Sequence, residues 1–212
     1  MGYAGNMEPT YTIPTCISDH VDKANVMVSR LKYDQLDFHI GKDAQKAVHT
    51  HKLIYPLEAG EIKDFELMEK FWHRCIFDNL RCEPEEHVFV LTEPPMNAPE
   101  NRETMAEIMF ETFNVKGLHI GVQATLALYS SWHCALPGSV QKRIGLTGTV
   151  IDSGDGVTHI IPVSDGYVIG SCIKHIPLAG RDITKYIMRQ LKDRGEEVDQ
   201  EDLMAVSKDI KD

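Results

Sequence analysis

The sequence predicts an α/β protein. Between Asp64 and Ser130, stretches of helical periodicity alternate with short apolar runs, the rhythm of strands and helices layered on a sheet. Beyond Leu146, three strand-like stretches follow one another across tight turns of Gly, Asp and Ser. The chain is 212 residues long, 42% hydrophobic and 25% charged, which is enough for a buried core in one large domain or two small ones.

The charge balance narrows the function. Against 22 Lys and Arg stand 32 Asp and Glu, a formal net charge of −10. A general nucleic-acid binder needs a cationic surface to displace counterions, so that class is set aside, and with it a polybasic membrane surface. No apolar run approaches the roughly 18 residues that span a bilayer, and the first residues form no signal-peptide core. Cys16, Cys75, Cys82, Cys134 and Cys172 make no C-x-x-C pair, so reduced thiols and a cytoplasmic address are expected.

In chain order, Gly2 to Ile17 mixes Tyr3, Tyr11 and Ile13 with Gly5, Pro9 and Pro14, and predicts short strands broken by turns. Residues 18–56 are polar and weakly periodic, and predict a mobile excursion or small subdomain. His49-Thr50-His51 within it offers two imidazoles but no third ligand at a useful spacing, which favours an exposed polar loop over a metal site. Phe65, Met68, Phe71, Trp72, Ile76 and Leu80 then recur at helical spacing and predict a helix over 64–80 with one buried face. His87 to Thr92 predicts a strand buried on both faces, stopped by Pro94-Pro95. Asn97 with Glu100 suggests a capping box, with Pro99 in the first turn. Met105, Ile108, Met109, Thr112 and Phe113 mark a helix face, Leu118–Val122 a strand, and Thr125–Ser130 a helix. Trp132 to Leu146, with its Lys142-Arg143 cluster, predicts a loop between two lobes. Strands are expected over 148–151, 158–163 and 167–176, a helix over 182–194 stopped by Gly195, and another starting near Asp202.

The stretch with chemistry in it is Thr149 to His159. A strand delivers Asp152 to a tight turn, Ser153-Gly154-Asp155-Gly156, whose glycines let backbone N–H groups approach an anion without a Cβ in the way. A carboxylate beside such a nest suits a phosphate when Mg²⁺, usually through water, lies between them. Asp155 could accept from a ribose hydroxyl or order the turn. Gly180-Arg181-Asp182 opens a helix and offers a second place for a nucleotide. Gln123, at a strand-to-helix junction, could hold a water. His159 reads first as a satisfied strand histidine unless the fold sets it beside the phosphate.

Leu91–Glu103, Ile108–Val115, Val122–Tyr129 and Val150–His159 resemble actin-family signatures. Gly170–Thr184, Gly60–Glu69 and Ser131-Trp132 resemble actin-related members of that family more closely than actin itself. The resemblance covers nearly the whole chain. It implies the sugar-kinase/Hsp70/actin ATPase fold, two lobes around an ATP·Mg²⁺ cleft, with 1–135 as the first lobe and 146–212 as the beginning of the second. It further implies membership in the actin-related protein 2/3 complex, with its other subunits, actin and nucleation-promoting factors as partners, in the cytoplasmic cytoskeleton. Asp152 would hold the Mg²⁺ shell, and Gly154, Asp155, Gly156 and Val157 would form the second phosphate loop. Gly180 would lie near the nucleoside, while Gln123 and His159 would orient the water attacking the γ-phosphate. Slow hydrolysis of this kind serves as a switch more than as an enzyme activity.

The family's first phosphate loop precedes the strand that here begins at Gly2, and family chains continue well past Asp212. The expectation is therefore an incomplete fold, truncated at both ends, with a half-built nucleotide site. Two other readings stay open. One is an interaction module without nucleotide; the other is an ATP-dependent phosphotransferase, for which the sequence offers no convincing catalytic carboxylate or acceptor pocket.

Overall fold

The computed structural model describes residues 1–20, 38–47, 51–58, 60–134, 136–137, 145–196, 198–199 and 202–212. Helices and small sheets are mixed along the chain, and compactness divides it into two units: Met1–Leu91 with Ala98–His119, and Thr92–Asn97 with Ile120–Asp212.

In the first unit, residues 2–16 form turns rather than the expected strands. Gly5 at φ +94° and two prolines break any ladder there, and the segment is tied by Met1 N donating to Tyr11 O (2.8 Å) and Tyr11 N to Met1 O (3.0 Å). Within the polar 18–56 stretch, β1 (Ile17–His20) pairs antiparallel with both β2 (His39–Ile40) and β3 (His51–Ile54), around buried Cys16, Ile17 and Ser18. The short helix α1 (Gly41–Lys46) follows β2 directly. His49 and Thr50 lie outside the described residues. A two-stranded ladder of β4 (Leu57–Glu58) and β5 (Glu61–Ile62) leads into α2 (Phe65–His73).

Helix α2 begins where Asp64 accepts from the Leu67 N–H at 3.0 Å and buries Met68, Phe71 and Trp72, as the periodicity predicts. It continues over Arg74–Leu80 with π-helical spacing, closed by Arg81 in the left-handed region. After a turn at Pro84–Glu86 comes β6 (Val88–Glu93). This strand is not buried on both faces: Val88 and Val90 are exposed, and residues alternate in burial along it. Helix α3 (Pro99–Glu107) runs on with π spacing over Ile108–Thr112 and buries Met105 and Met109. Its N-cap is Ala98, without a side-chain cap. The expected cap position at Asn97 thus lies one residue before the observed N-cap, and the Asn97 side-chain amide donates to Glu93 Oε2 at 3.2 Å.

Strand β7 (Gly117–Val122) pairs with β6, and α4 (Gln123–Cys134) follows it without a break. The helix extends past the expected end at Ser130 and takes in Trp132, since no Gly or Pro interrupts it before Pro137. Of the 132–146 loop, 135 and 138–144, including Lys142 and Arg143, lie outside the described residues.

The second unit is built on β8 (Gly148–Ser153) and β9 (Thr158–Ser164), an antiparallel hairpin in the register Ser153↔Thr158, Asp152↔His159, Val150↔Ile161. The expected strand over 167–176 is two pieces, β10 (Tyr167–Val168) and β11 (Lys174–Ile176), split by a 3₁₀ turn at Gly170–Cys172. Both pieces pair with β9. The core under this sheet is Ala124, Leu128, Ile161, Val163 and Ile173, so α4 packs against it. Helix α5 (Gly180–Asp193) packs on α6 (Leu203–Lys211). Gly195 at φ +72° ends α5: Glu196 N reaches Leu191 O and Gly195 N reaches Lys192 O, the paired bonds of a Schellman motif. Among the described residues no helix is long and apolar enough to cross a membrane.

Candidate functional site

The β8–β9 turn lies against the start of α5. Gly154 N donates to Val157 O at 3.2 Å, closing the turn from within. Two bonds then fasten it outward: Gly180 N donates to Gly154 O (2.9 Å) and Arg181 N to Asp155 O (2.8 Å). The Arg181 guanidinium adds an ion pair, with Nη2 at 2.9 Å and Nε at 3.1 Å from Oδ2 of Asp155. The amides of Asp155, Gly156 and Val157 have no acceptor among the described residues. Backbone N–H groups left free on a glycine-rich turn are the raw material of an anion nest.

Glycine at 180 suits the closeness of this contact. A Cβ there would stand 3.3 Å from Gly154 O, 3.4 Å from Lys211 Nζ and 3.7 Å from Asp155 Cα. The helix itself starts from extended Ala179, whose N–H is accepted by the Asp182 carboxylate at 3.2 Å, while Thr184 Oγ1 donates to Gly180 O. Behind the turn, Ser153 and Thr158 hydroxyls meet at 2.8 Å, and Thr158 Oγ1 donates to Leu178 O. The hairpin, the segment before α5 and the first turn of α5 are thus one hydrogen-bonded unit.

Asp152 and His159 are direct cross-strand partners, so their side chains leave the sheet on the same face. His175 pairs with His159 from β11, extending the row across a third strand. The two imidazoles meet edge to face with centroids 4.7 Å apart, and His175 Nε2 lies 3.4 Å from Met96 Sδ. Burial holds the His159 pKa below the ordinary 6.5, the charge of His175 pushes the same way, and Asp152 opposes both. A neutral imidazole that can both donate and accept suits a water-orienting role better than a cation does.

The sequence-predicted residues Asp152, Gly154, Asp155, Gly156, Val157, His159 and Gly180 are therefore brought together around one hairpin. Gln123 stands apart from them in its bonding: it begins α4, and its amide donates to Thr92 Oγ1 at 3.4 Å. Reading the chain missed Arg181 as a side chain and His175 altogether. Arg181 had a signal, since it is the one cation beside Gly180. His175 had none, because its placement depends on the break that turns β11 back onto β9.

Among the described residues no group of three or more His, Cys, Asp and Glu side chains forms a metal cluster. The donor set here fits a hard cation held by one carboxylate and water in company with a phosphate, more than a cation caged by protein alone. The thiols belong elsewhere. None of the five is in a disulfide among the described residues, and burial pushes Cys75 up to about 12, which leaves it inert at neutral pH.

The family model described as Actin matches residues 1–211. The chain is 50% identical over 213 residues to Actin-related protein 3 of Dictyostelium discoideum, 53% over 220 to Actin-related protein 3 of Caenorhabditis elegans, and 51% over 221 to that of Acanthamoeba castellanii. Each alignment covers 100% of this chain and 50%, 51% and 51% of the respective relative, so the chain spans about half the length of the curated relatives it matches. The chain belongs to the actin family, and its mixed helices and sheets are those of a partial actin-like fold.

Proposed function

We propose that this chain contributes the second phosphate loop and part of the nucleotide site of an ATP-binding subunit of the actin-related protein 2/3 complex. In that role bound nucleotide acts as a conformational switch for nucleating branched actin filaments, alongside the other subunits, actin and nucleation-promoting factors in the cytoplasmic cytoskeleton. The observation that carries the reading is the turn at Gly154–Val157, with three amides unpaired among the described residues, two bonds to the start of α5, and the Asp152 carboxylate two residues before it.

Each residue has a physical task. The Asp155, Gly156 and Val157 amides donate to phosphate oxygens, which glycine permits at close range. Asp152 would hold a Mg²⁺ ion, which would supply neutralisation of the phosphate charge. Gly180 lets the start of α5 lie close against the turn, beside the place proposed for the nucleoside. His159, kept neutral, and Gln123 orient the attacking water, so that positioning more than bond chemistry sets the slow rate. About 50% identity along the full chain to proteins named Actin-related protein 3 supports the assignment to that complex.

Calorimetric titration of Mg·ATP into the purified 212-residue chain tests the nucleotide part. Weak binding, with a Kd of about 100 µM or above as a half-built site implies, lost in Asp152→Ala, is expected. No heat from a demonstrably folded chain would overturn it and leave an interaction module without nucleotide. The assembly part is tested by pyrene-actin polymerisation with the complex and a nucleation-promoting factor, where replacing Asp152 in the corresponding subunit is expected to slow nucleation.

A further inference from the structure

The turn proposed to accept phosphate carries an acid within it. Asp155 lies between Gly154 and Gly156 and is the single charged residue of 154–157. An unneutralised carboxylate at that place repels the phosphate chain that the neighbouring amides attract. Arg181 meets it: Nη2 and Nε both contact Oδ2, at 2.9 and 3.1 Å, so the ion pair has two points of contact. The arginine is delivered there by the backbone, since the Gly180 and Arg181 amides bond the carbonyls of Gly154 and Asp155. Side chain and main chain of the same residue thus hold the same aspartate.

We propose that Arg181 is a positioning residue of the phosphate turn, acting through Asp155: it neutralises that carboxylate and holds it against α5, so that the 154–157 amides face an anionic ligand without a competing negative charge. The inference rests on the nucleotide reading above and adds to it the residue that makes an acidic turn fit for phosphate. Both partners are more than half exposed, so the pair contributes little to folding stability, and its effect belongs to ligand binding.

The experiment titrates two probes, Mg·ATP and inorganic tripolyphosphate with Mg²⁺, into the 212-residue chain and its variants. Tripolyphosphate removes the ribose from the question. Arg181→Ala is expected to weaken both probes about tenfold, and Arg181→Lys, which keeps the charge, to stay within about threefold of the unaltered chain. Adding Asp155→Asn to Arg181→Ala is expected to restore tripolyphosphate binding, because the charge that needed neutralising has gone. A merely structural latch gives the opposite result, since the double variant still lacks the ion pair; failure of that rescue overturns the proposal. Where Arg181→Ala does not fold, the double variant is compared with the unaltered chain, and tripolyphosphate binding more than about threefold weaker in the double variant overturns it equally. If the unaltered chain binds and Arg181→Ala binds as well, this inference fails while the nucleotide reading stands. If the unaltered chain binds neither probe, both fall together.

Discussion

His159 is 8% exposed on the sheet face it shares with Asp152 and His175. Because burial first and His175 second disfavour its charged form, the native state binds this proton less readily than the unfolded chain does. Its contribution to stability is therefore full above the unfolded value near 6.5 and is lost as pH falls through the lower folded value. Thermal unfolding followed between about pH 7.5 and pH 5 is expected to show a steeper loss in the native chain than in His159→Gln. Equal slopes would mean that this imidazole does not report the fold. Gly41 offers a cleaner steric case. It sits at φ +61°, buried, with its N–H on Cys16 O at 3.0 Å, and an added Cβ would run into Ile13 Cγ2. Left-handed backbone and collision act together, so Gly41→Ala is expected to cost about 2 kcal/mol or more, read as a lowered urea midpoint.

At the scale of elements, local signals proved sound where one residue type settles the geometry. Asp64 starts α2 by accepting from Leu67, and removing that acceptor in Asp64→Ala is expected to cost about 1 kcal/mol of stability, visible as a fall in the melting temperature. The Gly195 stop was legible for the same reason, as was the strand–turn–strand around Asp152, where two glycines bracket an aspartate. Elements that depend on distant partners were not legible. The apolar run at 87–92 looks buried on both faces, yet it pairs with β7 alone among the described strands and alternates in exposure. The 167–176 stretch looks like one strand, but Gly170 to Cys172 coil into a 3₁₀ turn and send Lys174–Ile176 back onto β9. The π-helical runs after α2 and α3 carry no sequence mark at all, because an i to i+5 bond uses no special residue. Half of the candidate site followed from turn chemistry; the His159–His175 contact followed only from the fold.

The whole molecule sets the last expectation. The chain aligns along all of its length with relatives about twice as long, and it leaves large apolar side chains on its surface. Val88 is 66% exposed and Val90 62%, on the same side of β6 two residues apart. β6 and β7 form a sheet of only two strands, so each has an edge without a strand partner among the described residues. An unpaired edge next to an open β-branched face invites another strand, and a second copy of the same chain is the one always at hand in a purified sample. The isolated 212-residue chain is therefore expected to self-associate at concentrations of about 10–100 µM, eluting with a scattering mass above its 23.9 kDa. Val88→Thr with Val90→Thr keeps the β-branched shape while adding a hydroxyl to each exposed position, and is expected to shift the mass back toward the monomer. A native chain that stays monomeric across that range would show that this face is not sticky enough to act. If the double variant associates as strongly as the native chain, the contact is made elsewhere, and exposed Ile151, Leu178 and Tyr186 of the second unit become the positions to test.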